Sequence, residues 1–256
     1  MSALLNQTNF FLLIFARVSG IFTAAPFYNN SNVPPYCKAG AALLISYILL
    51  PLTYNPRIPI PETFWPYIAL VAGEFLFGLI FGFVSYLIFQ AVQMAGNLLD
   101  LQIGFGVVNV FDPQFGQQVP LLGNFQFILA MIVFMATNGH HILLAALFAS
   151  FKVIPVTGLV FHASLADFIV NLFVDIFIIA FKLTLPVLVA LVLTDVALAI
   201  LARTMPQMNI FIVGVPAKIA VGLFTLAVAL PFYIAFLEVG FNEMYQSVYR
   251  LLAAFR

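Results

Sequence analysis

The sequence predicts an all-α integral membrane protein built from helical hairpins and broken helices. Its 256 residues are 64% hydrophobic and only 7% charged, and the mean hydropathy is +1.14. Soluble domains carry about 25% charged residues, so this chain has too few polar side chains to cover a water-exposed globule. Its apolar residues are gathered into long runs separated by prolines, which is typical of membrane helices.

Seven apolar runs of very different length follow one another along the chain. They cover residues 4–26, 39–52, 64–95, 121–137, 142–161, 168–202 and 208–237. One bilayer crossing needs about 20 residues. The second run is therefore short for a span, the third is too long for one, and the sixth holds either one long tilted helix or two shorter ones. Such unequal lengths indicate helices that pack against other protein.

Prolines mark the predicted breaks. Several between residues 51 and 61 predict a stiff, extended connector over 51–63. Later prolines are expected to open or interrupt helices: Pro155, Pro186, Pro206, Pro216 and Pro231. No repeat of fixed period is found along the chain.

The charge and cysteine content exclude several classes of protein. The formal net charge is zero and the nine basic residues are scattered, so neither a nucleic-acid surface nor a lipid-headgroup patch is expected. The lone Cys37 excludes an internal disulfide and a cysteine-rich metal site. The first basic residue, Arg17, already lies inside an apolar run, so a cleaved signal peptide is not expected. Basic residues occur in loops on both sides of the membrane, so their distribution does not predict the orientation of the chain.

Several ionisable residues lie within apolar runs, among them Arg17, Glu74, Lys152, Asp175, Lys182 and Asp195. A charge at the bilayer centre costs about 2.5–3.5 kcal/mol on insertion scales, so each should face protein or water. The set could form a proton relay or ion site, or it could pair within an assembly. Asp175 and Lys182 are separated by about 10 Å along a helix axis, so we expect them to contact groups elsewhere rather than each other.

Two further motifs allow more than one interpretation. His140 and His141 are adjacent and therefore point about 100° apart on a helix, which does not give the i,i+4 clamp of a metal site. No nucleophile, phosphate-binding or dinucleotide motif accompanies them, so neither an enzyme nor a cofactor is expected. The small residues Gly73, Gly78 and Gly82 allow close helix packing, either within the chain or between subunits.

The segment from Gly104 to Pro120 differs from the rest of the chain. It contains several glycines and glutamines and two prolines, so a single continuous helix is not expected there. In a membrane protein such backbone must be shielded by protein or line a water-filled cavity. The segment is therefore the first place to look for a pore or gate.

These features together resemble the FliR family of flagellar biosynthesis proteins. The shared residues occur in family order over most of the chain, although the homologues of injectisome export machines are similar. The motifs are Arg17-Val-Ser-Gly20 with Pro26 and Val33-Pro34…Lys38; Gly73-Glu74 with Gly78; Gln93-Met-Ala-Gly96…Asp100…Gly104-Phe; Asp112-Pro113; Asn138-Gly139-His140-His141; and Pro206-Gln-Met-Asn209…Gly214-Val-Pro-Ala-Lys218.

The resemblance implies an architecture and a set of partners. Proteins similar to FliR form the export gate of type III secretion with FliP and FliQ, beside FlhB. Their subunits surround a pore through which unfolded flagellar proteins leave the cell. By this analogy residues 1–165 would be FliP-like and residues 166–256 would be a FliQ-like helical hairpin. The expected location is the bacterial inner membrane, in the flagellar basal body.

The resemblance also implies a plug. The family carries a loop that closes the pore at rest, and the matching positions here begin at Gly104. The apolar stopper would be Phe105, Val107, Val108, Val110 and Phe111, with Gly106 and Asn109 between them and Gln114, Gln117 and Gln118 as a hydrated support. Apolar side chains can exclude water from a constriction, and glycines permit a tight reversal.

Two other functions stay open at this point. A small-molecule or ion transporter subunit would use the carboxylates Glu74, Asp175 and Asp195 at the membrane midplane. An intramembrane enzyme would use His140 or His141.

Overall fold

The computed structural model describes residues 2–28, 33–56, 58, 60–61, 63–105, 120–159, 164–207 and 209–255. These ranges contain α-helices and connecting turns, and no strand. The helices are α1 (Ser2–Ala24), α2 (Pro35–Thr53), α3 (Phe64–Ile103), α4 (Leu121–Ala136), α5 (Gly139–Val153), α6 (Ser164–Thr204) and α7 (Ile210–Ala254). The predicted all-α fold is confirmed.

Four helices are long and apolar enough to cross a membrane: α2, α3, α6 and α7. The consecutive helices α4 and α5 would add a fifth span if the two count as one broken helix. They are separated at Asn138, which adopts the left-handed conformation with φ 56°. Asparagine tolerates that region better than most residues, so the sequence Asn138-Gly139 suits a helix break.

Helix α2 is longer than its apolar run. It covers 19 residues and begins at Pro35. Proline is tolerated in the first turn because a backbone N–H there would have no partner within the helix. It also continues through Pro51 and ends before the extended Tyr54. The prediction that 51–63 is a connector is therefore wrong for residues 51–53, and α2 has almost the length of a full span.

The long apolar runs are single helices. Helix α3 has 40 residues and is about 60 Å long, twice the hydrocarbon thickness of a bilayer. Helix α6 contains Pro186, and α7 contains Pro216 and Pro231, yet none of these prolines ends its helix. Prolines are tolerated inside membrane helices because neighbouring groups satisfy the freed backbone carbonyls.

The chain forms two compact units. The first comprises Met1–Leu87, Asn138–Phe173 and Phe241–Arg256, and the second comprises Ile88–Thr137 and Val174–Gly240. In the first unit, Phe77 is fully buried and meets the edge of Phe255 at 5.0 Å between ring centroids. In the second unit, a core cluster forms from Leu99, Ile103, Leu122, Val187, Leu191 and Leu226.

Candidate functional site: a buried ion pair and the base of the 104–120 segment

The first unit contains a fully buried ion pair between α1 and α3. Arg17 and Glu74 are both 0% exposed, and Arg17 Nε donates to Glu74 Oε2 at 2.6 Å. The guanidinium also lies over the rings of Phe77 and Phe151, at 4.8 Å and 4.3 Å from their centroids. Such cation–π contacts add about 0.5–2 kcal/mol each, depending on desolvation. The two charges therefore stabilise each other inside the chain.

Residues of α5 and the turn after it complete this cluster. Arg17 Nη1 donates to the Ile154 carbonyl at 3.0 Å and to Ser150 Oγ at 3.4 Å. The Thr157 N–H donates to the other carboxylate oxygen of Glu74 at 3.2 Å. Thr157 has a φ of 76°, so this contact holds a strained turn in place. One ion pair thus joins α1, α3, α5 and the turn that follows α5.

Of the six charges named above from the apolar runs, Arg17 and Glu74 are buried within the chain. Lys152, Asp175 and Lys182 are exposed. Asp195 is 40% exposed at its side chain and pairs with Lys218 Nζ at 2.5 Å, which joins α6 to α7. The exposed three lie on helix faces that no other part of the described chain covers.

Glycines bring the backbones of α1 and α3 into contact. A Cβ on Gly78 would overlap the carbonyl oxygen of Arg17, and a Cβ on Gly82 would lie 2.7 Å from the backbone nitrogen of Ala25. Gly78 and Gly82 are therefore used for packing inside the chain, one of the two alternatives that the sequence left open. A Cβ on Gly73 would meet nothing within 4 Å, so Gly73 does not serve this contact.

The second unit contains the amino-terminal base of the 104–120 segment. Gly104 follows α3 with a φ of +101°, a conformation that strains any other residue, and its N–H donates to the Asp100 carbonyl at 3.2 Å. Phe105 packs against the core cluster of this unit. The helix end is thus fixed, with the first apolar residue of the segment directed into packed protein.

Asp100 fixes the other end of the segment. Asp100 is 6% exposed, and its carboxylate accepts the Leu122 N–H through both oxygens at 3.0 Å and the Gly123 N–H at 3.1 Å. Pro120, at the N-cap of α4, gives no side-chain cap, so Asp100 supplies the acceptor and the negative charge that a helix amino terminus favours. The end of α3 and the start of α4 are therefore held together.

Close backbone packing reinforces this junction. A Cβ on Gly96 would lie 2.6 Å from the backbone nitrogen of Gly123. The backbones of α3 and the start of α4 are therefore so close that only glycine fits at this contact. The remaining predicted plug residues lie outside the described residues: Gly106, Val107, Val108, Asn109, Val110, Phe111, Gln114, Gln117 and Gln118. The structure describes the two ends of the segment and not its interior.

The two histidines lie at the start of α5. Their rings are 4.1 Å apart between centroids, and the Tyr28 hydroxyl donates to the His140 carbonyl at 3.4 Å. Burial raises the pKa of Tyr28 to about 12, so this hydroxyl stays protonated as a donor at neutral pH. Within the described ranges, no three His, Cys, Asp or Glu side chains are grouped closely enough to hold a metal ion.

Sequence reasoning missed the roles of Asp100, Lys218 and Ser150. Asp100 lies 22 residues before the backbone group that it caps, and an N-cap is ordinarily sought next to its helix. Lys218 was part of a motif shared with the FliR family, and no partner was predicted for it. The pairing of Arg17 with Glu74 joins residues 57 apart, which periodicity does not encode.

These features define a class: a helical, multi-pass membrane protein with buried ionic and glycine-mediated helix packing. The family described as bacterial export proteins, family 1, matches residues 8–244. The chain belongs to this family, and the resemblance to FliR proteins is confirmed.

Three relatives carry the same description, flagellar biosynthetic protein FliR. The protein of Bacillus subtilis (strain 168) is 36% identical, covering 99% of this chain and 98% of its own length. That of Pectobacterium carotovorum subsp. carotovorum is 30% identical, covering 97% and 95%. That of Escherichia coli (strain K12) is 28% identical, covering 94% and 92%. The similarity therefore extends over essentially whole chains.

Proposed function

We propose that this chain is a non-enzymatic subunit of the flagellar type III protein export gate in the bacterial inner membrane. It helps to form and close the conduit through which unfolded flagellar proteins cross that membrane. The observation that carries the proposal is the family match over residues 8–244. Four to five candidate spans and charged side chains left on exposed helix faces suit a subunit that other membrane proteins surround.

The partners in this proposal are FliP-like and FliQ-like subunits and FlhB. Residues 1–165 take the FliP-like position and residues 166–256 the FliQ-like position in the assembly. Gly73 supports a subunit contact, because a side chain there would meet nothing within the chain. Gly78 and Gly82 pack against α1 within the chain. In this proposal they do not contact the partners themselves, but they fix the position of the helices that do.

Residues 104–120 form the plug in this proposal. Support comes from the base of the segment, where Gly104 ends α3 and the Asp100 carboxylate holds the start of α4. Phe105 packs against the core cluster at the base of the segment, so in this proposal Val107, Val108, Val110 and Phe111 exclude water from the pore. The glutamines hydrogen-bond without adding charge.

The transporter alternative gains no support from the carboxylates. Glu74 is neutralised by Arg17 in a fully buried cluster, and Asp195 is paired with Lys218. Asp175 is exposed on a helix face and has no ion pair among the described residues.

Export itself is tested by deleting the gene in its flagellated host and measuring flagellar proteins in the medium. We expect their secretion to stop while their synthesis in the cytoplasm continues, with recovery when the gene is returned. Continued secretion in the deletion strain would refute the proposal.

The plug is tested by ion leak through the assembled complex. We expect leak to rise when residues 107–111 are deleted, and also when Val107, Val108 and Val110 are replaced by serine at unchanged length. The serine variant separates apolarity from loop length, and copurification of the partners confirms assembly. Unchanged leak in both assembled variants would show that the segment does not close the pore.

A further inference from the structure

The chain leaves α3 beside the first half of α7. Gly104 directly follows α3, and a Cβ on Gly104 would lie 3.9 Å from Val215 Cγ1 of α7. Phe105 and Ile219 both pack against the core cluster of the second unit. Val215 and Ile219 are four residues apart and therefore lie on one face of α7. We call this face, formed by Val215 and Ile219, the α7 seat.

An ion pair borders the α7 seat. Lys218 lies on the same turn of α7 as the seat, and its Nζ contacts Asp195 Oδ1 of α6 at 2.5 Å. The two side chains are 23% and 40% exposed, respectively. Asp195 lies one turn beyond Leu191, a buried member of the core cluster. The ion pair therefore joins α6 to α7 at one end of the apolar core of this unit.

This end of the core is also the end at which the chain leaves α3. A Cβ on Gly222 would lie 2.7 Å from Ile103, the last residue of α3, and 3.4 Å from Leu191 Cδ2. Lys218 precedes Gly222 by one turn, and Asp195 follows Leu191 by one turn. The ion pair thus lies just beyond the contact of α3 with α6 and α7, on the side where the α7 seat meets the emerging chain.

The ion pair suits a positioning role better than a stabilising one. Its side chains are partly exposed, and ion pairs of that kind add little to overall stability. A charge on a membrane helix is nevertheless costly without a counter-charge. Asp195 and Lys218 therefore disfavour any arrangement of α6 and α7 that separates them. The pair selects one register of the two helices, and that register determines where the α7 seat lies.

We propose that the Asp195–Lys218 ion pair holds the α7 seat against Gly104 and Phe105, and so fixes the direction in which the chain leaves α3. Asp195 and Lys218 are then positioning residues for the export gate, and they act through the apolar seat. The inference rests on the proposed function, in which the segment that follows closes the pore and needs a correctly placed base.

Photo-crosslinking within the purified assembly tests the seat directly. A photoreactive phenylalanine analogue replaces Phe105, and mass spectrometry identifies the peptide to which it becomes joined. We expect an adduct with the α7 peptide that contains Ile219. Asp195→Asn and Lys218→Gln should each lower this adduct about twofold to fivefold, the range expected for losing a partly exposed ion pair. An unchanged adduct in both variants would overturn the proposal.

A charge swap separates the ion pair from a general effect of substitution. Asp195→Lys combined with Lys218→Asp restores an ion pair with reversed polarity, so we expect the adduct to recover. Asp175→Asn is the matched control, because it makes the same change on α6 about 30 Å away along the helix axis; it should leave the adduct unchanged. A swapped variant no better than the single variants would overturn the proposal. So would a loss of assembled complex in step with the adduct, because the pair would then be merely structural.

Ion leak through the assembled complex connects the seat to the gate. Asp195→Asn and Lys218→Gln should raise the leak about twofold to fivefold, and the charge swap should return it to the level of the unaltered chain. If deletion of residues 107–111 raises the leak but these variants do not, the positioning role is refuted while the plug stands. If the deletion leaves the leak unchanged, the proposed plug has failed, and the Phe105 adduct alone decides whether the ion pair holds the seat.

Discussion

The Arg17–Glu74 cluster gives the sharpest prediction about stability. The perturbation is a double-mutant cycle: Arg17→Met, Glu74→Met and the two together. Each single change leaves one buried charge without its counter-ion, because Arg17 and Glu74 are both fully buried. The double change leaves two flexible apolar side chains where the ion pair was. Methionine suits both sites because it can fill irregular space.

The expected magnitudes follow from the contacts. Glu74→Met removes the charge that accepts from Arg17 Nε at 2.6 Å and should cost about 3–5 kcal/mol of unfolding free energy. Arg17→Met leaves the buried Glu74 carboxylate with the Thr157 N–H as its hydrogen-bond donor, so its cost should fall in the same range. Replacement of a whole buried pair by apolar residues is often close to neutral, so the double variant should lose far less than the sum of the singles.

The assay is denaturant-induced unfolding of the purified chain in mild detergent, followed by circular dichroism. Lys152→Met is the matched control, because Lys152 is exposed on α5 in the same compact unit and its replacement should change stability by about 0.5 kcal/mol or less. We expect a coupling energy of at least about 3 kcal/mol between positions 17 and 74. Additive single effects, or single effects no larger than that of Lys152→Met, would refute the reasoning.

Two further predictions concern helix junctions. Asp100→Ala should cost about 1 kcal/mol, because it removes the acceptor and the charge at the start of α4. Hydrogen exchange of the amides in the first turn of α4 should become faster, and unchanged exchange would contradict the cap. Gly78→Ala should strongly destabilise the α1–α3 contact, because the new methyl group would overlap the Arg17 carbonyl, whereas Gly73→Ala meets open space. Thermal unfolding in detergent compares the pair, and equal melting temperatures would contradict the close approach.

Hydropathy alone predicts the class of fold. Apolar runs in a chain with 7% charged residues permit helices and little else in a membrane. Helix boundaries are harder to predict, because proline acts differently in different places. Pro35 opens α2, Pro51 lies inside it, and Pro186 lies inside α6. Whether a proline ends a helix depends on whether neighbouring groups hydrogen-bond to the carbonyl that it frees. Those neighbours are set by the tertiary structure and cannot be read from the local sequence.

The site was partly predictable for the same reason. Charges inside apolar runs identify Arg17 and Glu74 as unusual, but their pairing depends on how α1 packs on α3. Gly78 allows the backbones of α1 and α3 to pack closely, which brings Arg17 next to Glu74. From the sequence alone, Gly78 could equally pack against a partner subunit. Asp100 escapes sequence analysis because the helix that it caps starts 21 residues later in the chain. Local capping rules do not extend over such a distance.

The central claim is that the chain works as one subunit of a membrane export assembly. Purification of the tagged chain from its own host in mild detergent, with mass spectrometry of the copurifying proteins, tests this most directly. We predict stable recovery of FliP-like and FliQ-like subunits in fixed proportion to the chain. A stable chain that purifies alone under conditions where those subunits stay soluble would contradict the account.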